Sequence, residues 1–135
     1  MSRNYRGSCL CGSISYEVSG FSSQVANCHC TMCRKFHGSA YGTLVSVTDL
    51  NWLTGKDRLK DYVGNNGTIR SFCTECGSSI GFRVKDSPLE SIELAIATFD
   101  EDIPVVVDAQ IYTNYKANWV TLQNKITSHG EGRDS

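Results

Sequence analysis

Cys9-Leu10-Cys11-Gly12-Ser13-Ile14-Ser15-Tyr16-Glu17-Val18-Ser19 carries two signals at once, a close pair of thiols and then a strict alternation of apolar and polar residues. Ile14, Tyr16 and Val18 fall on one face of an extended segment, with Ser13, Ser15, Glu17 and Ser19 on the other. A period of two predicts a half-buried β-strand that leaves a cysteine turn. Working outward, similar extended runs are predicted over 40–47, 58–63, 68–72, 79–84, 91–97 and 109–113, all of them short. Gly64-Asn65-Asn66-Gly67 reads as a hairpin connection because Gly and Asn accept positive φ, and Ser87-Pro88 marks another break. A helical turn or two is predicted over 31–36, whereas 120–126 has no decided period. The fold class is therefore mainly β, built chiefly from antiparallel strands.

The chain has 135 residues and a mass of 14.9 kDa, a size at which one domain buries roughly two-thirds of its unfolded surface. Residues 1–127 are expected to form that single domain, and the polar, Gly-containing stretch 128–135 a flexible tail. Thirteen Lys and Arg face fourteen Asp and Glu, giving a net charge of −1 with both signs scattered, so no basic stripe invites nucleic acid. The longest apolar stretches fall far below the ~18 residues of a membrane span. Residues 1–20 lack the continuous apolar core of a secretory signal, and the cytosol is the expected compartment.

Seven cysteines are the outlier in this composition, and an odd count without an export signal points to reduced thiols with a chemical task. They fall as Cys9-x-Cys11, Cys28-x-Cys30-x-x-Cys33 and Cys73-x-x-Cys76. Cys73 to Gly77 has the form of a zinc knuckle, in which a tight turn aims two sulfurs at one point and glycine relieves the backbone. Cys9-Leu10-Cys11-Gly12 has the same character with one fewer spacer. Two such half-sites can supply the four thiolates of a closed structural zinc. Cys28, Cys30 and Cys33 are close enough in sequence to face one metal unaided, the three-ligand layout of a catalytic zinc with a free position. Zinc is favoured over iron by its frequency in all-thiolate sites, although an iron-sulfur or single-iron centre uses the same ligands. His29 stands between two of these ligands, and in an extended segment its ring points away from them. His37, four residues past Cys33, closes a Cys₃His site if a helical turn joins them; otherwise water or substrate takes the fourth place. His129 reads as a solvated tail residue. Arg34 and Lys35 directly follow Cys33, where their charge either offsets a three-thiolate zinc or meets an anionic ligand.

Gly7-Ser8-Cys9-Leu10-Cys11-Gly12-Ser13-Ile14, Cys28-His29-Cys30-Thr31-Met32-Cys33-Arg34-Lys35 and Phe72-Cys73-Thr74-Glu75-Cys76-Gly77 together closely resemble the glutathione-dependent formaldehyde-activating family, whose pattern the related centromere protein V domain shares. The resemblance spans about residues 6–120. It implies a β-tent fold of antiparallel sheets built around a structural zinc held by Cys9, Cys11, Cys73 and Cys76. It also implies a second, catalytic zinc on Cys28, Cys30 and Cys33. The activity implied is that of a carbon-sulfur lyase that condenses glutathione, or a similar small-molecule thiol, with formaldehyde or another small aldehyde. A non-catalytic module that binds a thiol or a protein partner is the alternative. Members often carry His-Ile-Trp or His-Ile-Phe and then Ser-Lys-Ala-Pro-Trp, where this chain has Gln110-Ile111-Tyr112 and Tyr115-Lys116-Ala117-Asn118-Trp119. Tyr112, Tyr115 and Trp119 either line a pocket or belong to the core.

Overall fold

Ile14, Tyr16 and Val18 are fully buried while Ser13, Ser15, Glu17 and Ser19 are only partly so, and the first alternating run thus turns one face inward as its period requires. A computed structural model describes residues 3–135. In chain order the first strands are β1 (Tyr5–Ser8), β2 (Ser15–Val18), β3 (Gly20–Phe21) and β4 (Ala26–Cys28), followed by helix α1 (Thr31–His37). Next come β5 (Gly42–Val45), β6 (Val47–Thr48), β7 (Asn51–Thr54), β8 (Leu59–Val63), β9 (Ile69–Cys73) and β10 (Ser79–Arg83). The last are β11 (Glu93–Ala95), β12 (Ala109–Ile111) and β13 (Thr127–Ser128). By backbone proximity the described residues divide into two units: residues 3–22 with 45–104, and residues 23–44 with 105–135.

In the first unit β2 pairs antiparallel with both β1 and β7, and β3 with β6. A longer antiparallel run places β10 between β9 and β11, with β8 outside β9. The connection between β8 and β9 closes as the Gly-Asn-Asn-Gly pattern requires: Gly64 N–H donates to Thr68 O at 2.9 Å, Gly67 N–H to Gly64 O at 2.9 Å, and Gly67 has φ +84°. Ile14, Tyr16, Val18, Ile80, Ile92 and Leu94 form the core together with Cys9 and Cys73, so the two cysteine turns are rooted in the apolar interior. Tyr16 is satisfied there by a 2.6 Å hydrogen bond between its hydroxyl and that of Thr98, with the Trp52 and Phe99 rings edge-on at 5.8 and 5.3 Å.

The second unit departs from the antiparallel expectation. β12 lies between β4 and β13 and is parallel to both, while β4 is antiparallel to β5. Some 80 residues of chain separate β4 from β12, which gives the backbone ample length to return and enter in the same direction, and no two-residue turn imposes reversal. Residues 128–135 are hydrogen-bonded along this edge. His129 N–H donates to Gln110 O at 2.9 Å, Tyr112 N–H to Glu131 O at 2.8 Å and Thr113 N–H to His129 O at 3.1 Å. Buried Gln110 donates to Gln123 O and Ser128 Oγ and accepts from Gln123 N–H, which uses both ends of its amide. Asp108 accepts from Val25 N–H at 2.7 Å and from two guanidinium nitrogens of Arg133 at 2.9 Å each. Beside Arg133, and with the Val25 amide, its carboxyl is held down at about 2. Among the described residues no helix is long and apolar enough to cross a membrane.

Candidate metal centres

The two knuckles of the first unit are built alike. At the first, Gly12 N–H donates to Cys9 O at 3.0 Å and Ile14 N–H reaches Cys9 Sγ at 3.3 Å. At the second, Gly77 N–H donates to Cys73 O at 2.8 Å and Glu75 N–H reaches Cys73 Sγ at 3.4 Å. Gly12 and Gly77 both have φ +79°, the left-handed conformation that a Cβ would strain. Leu10 N–H donates to Ser78 Oγ at 2.8 Å, tying one turn to the other.

These turns bring Cys9, Cys11, Cys73 and Cys76 together with all four sulfurs within 4.8 Å of one another. Sulfurs at the corners of a tetrahedron around zinc, each about 2.3 Å from the metal, stand about 3.8 Å apart. The Cys9–Cys11 and Cys11–Cys73 separations are 3.6 and 3.9 Å, so the quartet fits such an ion. Two hydroxyls complete the surroundings. Ser13 Oγ lies 3.1 Å from Cys11 Sγ and 3.5 Å from Cys73 Sγ, and Ser78 Oγ lies 3.2 Å from Cys76 Sγ. The Ser78 hydroxyl and amide hold the Cys76 thiol down at about 5, which readies it as an anionic ligand. Neither serine was anticipated, although the repeated Cys-Gly-Ser at 11–13 and 76–78 was a signal for both.

The second cluster stands wholly in the other unit. Cys28 ends β4, where it faces Gly42 of β5 on one side and Ile111 of β12 on the other. Cys30 is the N-cap of α1, its sulfur accepting from Cys33 N–H at 3.3 Å, and Cys33 is buried one turn along. The helix stops at Gly38, whose φ of +59° forms a left-handed cap with its N–H on Arg34 O. This strand-cap-helix path brings the three sulfurs within 4.8 Å of one another. All seven cysteines are free thiols. The neighbouring thiols of Cys30 and Cys33, together with burial, push the Cys28 thiol far up. A Cys28 thiol that resists ionisation without a counter-charge matches a divalent cation, which deprotonates the thiols that coordinate it.

No histidine or carboxylate joins either sulfur group among the described residues. His37, proposed as a closing ligand, packs its ring where a side chain on Gly42 would otherwise stand. His29 is buried against Tyr41, ring centroids 5.0 Å apart, and neither ring nitrogen has a hydrogen-bond partner. Burial, with Lys116 and Arg34 nearby, lowers its pKa, which favours the neutral ring. His129, expected to be solvated, places Nδ1 3.0 Å from Ser135 O. Tyr112 adopts φ +55°, ψ +37°, uncommon for a bulky residue. Burial raises its phenol. Its ring lies 6.3 Å from that of Tyr115, whose hydroxyl donates to Glu131 at 2.8 Å. Trp119 is exposed.

The family model described as glutathione-dependent formaldehyde-activating enzyme matches residues 4–115. A crystal structure of a Rhodobacter sphaeroides protein is similar to this chain with a TM-score of 0.57 and 24% sequence identity, over 73% of this chain and 91% of that one. At that identity the likeness carries the mainly β fold alone. No curated protein matches the chain.

Proposed function

The chain belongs to the glutathione-dependent formaldehyde-activating enzyme family, and from that premise we propose that it joins a thiol to a small aldehyde at Cys28, Cys30 and Cys33. The observation that carries this reading is the trio itself: three sulfurs within 4.8 Å of one another, with no fourth protein ligand among the described residues. Cys9, Cys11, Cys73 and Cys76 are assigned to a structural zinc and the trio to a second zinc. A zinc ion held by the trio would supply a free coordination position that takes the co-substrate thiol as thiolate, lowering a pKa of about 8.5 and raising the nucleophile's population at neutral pH. In the reaction the thiol sulfur bonds to the carbonyl carbon, the carbon–oxygen π bond opens, and the thiol's proton ends on the oxygen. Nothing is oxidised or reduced. Read in reverse it is the carbon-sulfur bond cleavage of a lyase.

The chain's own residues bind and orient. Cys30 and Cys33 are fixed by the helix cap, and Cys28 by its place between two strands, so the sulfurs are aimed before substrate arrives. Reduced thiols at both centres fit work in the cytosol. The all-sulfur donor set also favours a second reading, a module that holds a thiol without turnover, because three electron-rich ligands weaken Lewis acidity. Exchange NMR on protein with both zincs verified separates the two. We expect the interconversion rate of glutathione and formaldehyde with their adduct to rise in proportion to protein. Bound glutathione with no change in rate selects the second reading, and failure to bind any thiol rejects both.

A further inference from the structure

Thr31, Arg34, Lys35 and Gly38 are spaced i, i+3, i+4 and i+7 along α1 and its cap, and therefore share one face. With Ser39 and Trp119 they line an open cleft of about 280 Å³. Lys35 has no ion-pair partner among the described residues, and Arg34 gives a single N–H to Tyr115 O at 2.9 Å, leaving the rest of its fork. The sequence holds no Asp or Glu between Glu17 and Asp49. Elsewhere in this unit the acids are Asp108, paired with Arg133, Glu131, which accepts from the Tyr115 hydroxyl, and Asp134 near the chain end. The indole of Trp119 is 68% exposed at the same cleft, a large aromatic surface turned mostly to solvent. A guanidinium, an ammonium and two hydroxyl-bearing side chains beside an aromatic wall suit a carboxylate on a flat, peptide-like stem.

We propose that this cleft binds a carboxylate of the thiol whose sulfur goes to Cys28, Cys30 and Cys33, an inference that rests on the reading above. Helix geometry sets the length of that thiol. Cys33 lies on the opposite side of α1 from Thr31 and Gly38, and a helix with its side chains is about 10–12 Å across. Sulfur and carboxylate must then be separated by about three extended residues at ~3.5 Å each, so a tripeptide-length thiol engages both places and a two-carbon thiol engages the sulfurs alone.

Calorimetric titration of the zinc-loaded protein with glutathione, its dimethyl ester and 2-mercaptoethanol tests this. Glutathione should bind about fivefold more tightly than the ester at low salt, the size expected of partly exposed charge pairs. The difference should close in Lys35→Gln and Arg34→Gln, survive in part in Arg34→Lys, and shrink at about 0.5 M salt, where the screening length is only a few ångströms. Affinity for 2-mercaptoethanol should be equal in all these proteins. Equal binding of acid and ester by the native protein, with 2-mercaptoethanol still bound, overturns the cleft assignment and leaves the sulfur trio standing. A difference that persists undiminished in both Gln variants overturns it too. Loss of every thiol from the native protein overturns the trio reading and this inference together.

Discussion

Gly7 shows how tightly single positions of the first unit are set. It lies in β1 directly across from Tyr16, and a Cβ there would overlap the Tyr16 ring and hydroxyl. Tyr16 has nowhere to retreat, being fully buried, hydrogen-bonded to Thr98 and flanked by Trp52 and Phe99. Gly7→Ala should therefore destabilise the protein by about 1–3 kcal/mol through overpacking, read as a lower midpoint in a denaturant melt of the zinc-loaded protein. Combining it with Tyr16→Phe, which removes the hydroxyl nearest the new methyl, should cost less than the two separate losses added together, because the pair share one contact. Strict additivity would show that the glycine serves the backbone and not the tyrosine. The same scale explains a failure of sequence reading: Gln110, standing where relatives often carry a histidine, uses its amide to hold Gln123 and Ser128. Its local sequence, Ala-Gln-Ile-Tyr, gives no hint of partners 13 and 18 residues downstream.

Among the elements, the strands that announced themselves fall in runs that read as extended: β2, β5, β8, β9, β10, β11 and β12 all lie within predicted runs or at most one residue past their ends. β1, β4, β7 and β13 were not legible. Tyr5-Arg6-Gly7-Ser8 has no alternation to read, and Ala26-Asn27-Cys28 is only three residues long. β13, Thr127-Ser128, is fully polar and exists because β12 offers it an edge. Residues 128–135 carry backbone hydrogen bonds to β12 and the residues after it, and the Asp108–Arg133 pair, neither of which composition reveals. Since Asp108 has a folded pKa of about 2 against a usual 3.8, its contribution is present above about pH 4 and is lost as pH falls toward 2. Asp108→Asn should cost no more than about 1 kcal/mol at pH 7, the pair being partly exposed. The amides of Tyr112 and His129 should then exchange up to about fivefold faster. Acid also returns protons to the thiols of both proteins, so the observable is the stability difference between variant and native, which should narrow between pH 5 and pH 2.5. A gap that stays constant would mean the carboxylate charge is not what holds the strap.

At the scale of the whole molecule the two sulfur groups serve different units, and their legibility differed for a physical reason. Cys28, Cys30 and Cys33 are adjacent in sequence, so their meeting follows from local geometry. The meeting of Cys9 and Cys11 with Cys73 and Cys76 depends on non-local packing, and knuckle spacing suggests the partners without proving the pairing. The consequences of losing each should differ too. Cys9 and Cys73 belong to the apolar core of the first unit, and a structural zinc contributes an apparent ~10–16 kcal/mol in small peptides, as large as the ~5–15 kcal/mol stability of an ordinary domain. Removing one ligand of that quartet should expose what the metal was holding together. Cys30→Ser leaves the quartet whole, and a serine still caps α1. We therefore expect Cys30→Ser to give a soluble protein that melts cooperatively and carries one zinc by metal analysis, against two in the native chain. Cys76→Ser should lose cooperativity or solubility even when zinc is supplied in excess. Equal damage from the two substitutions, or two zincs retained in Cys30→Ser, would contradict the division of labour between quartet and trio.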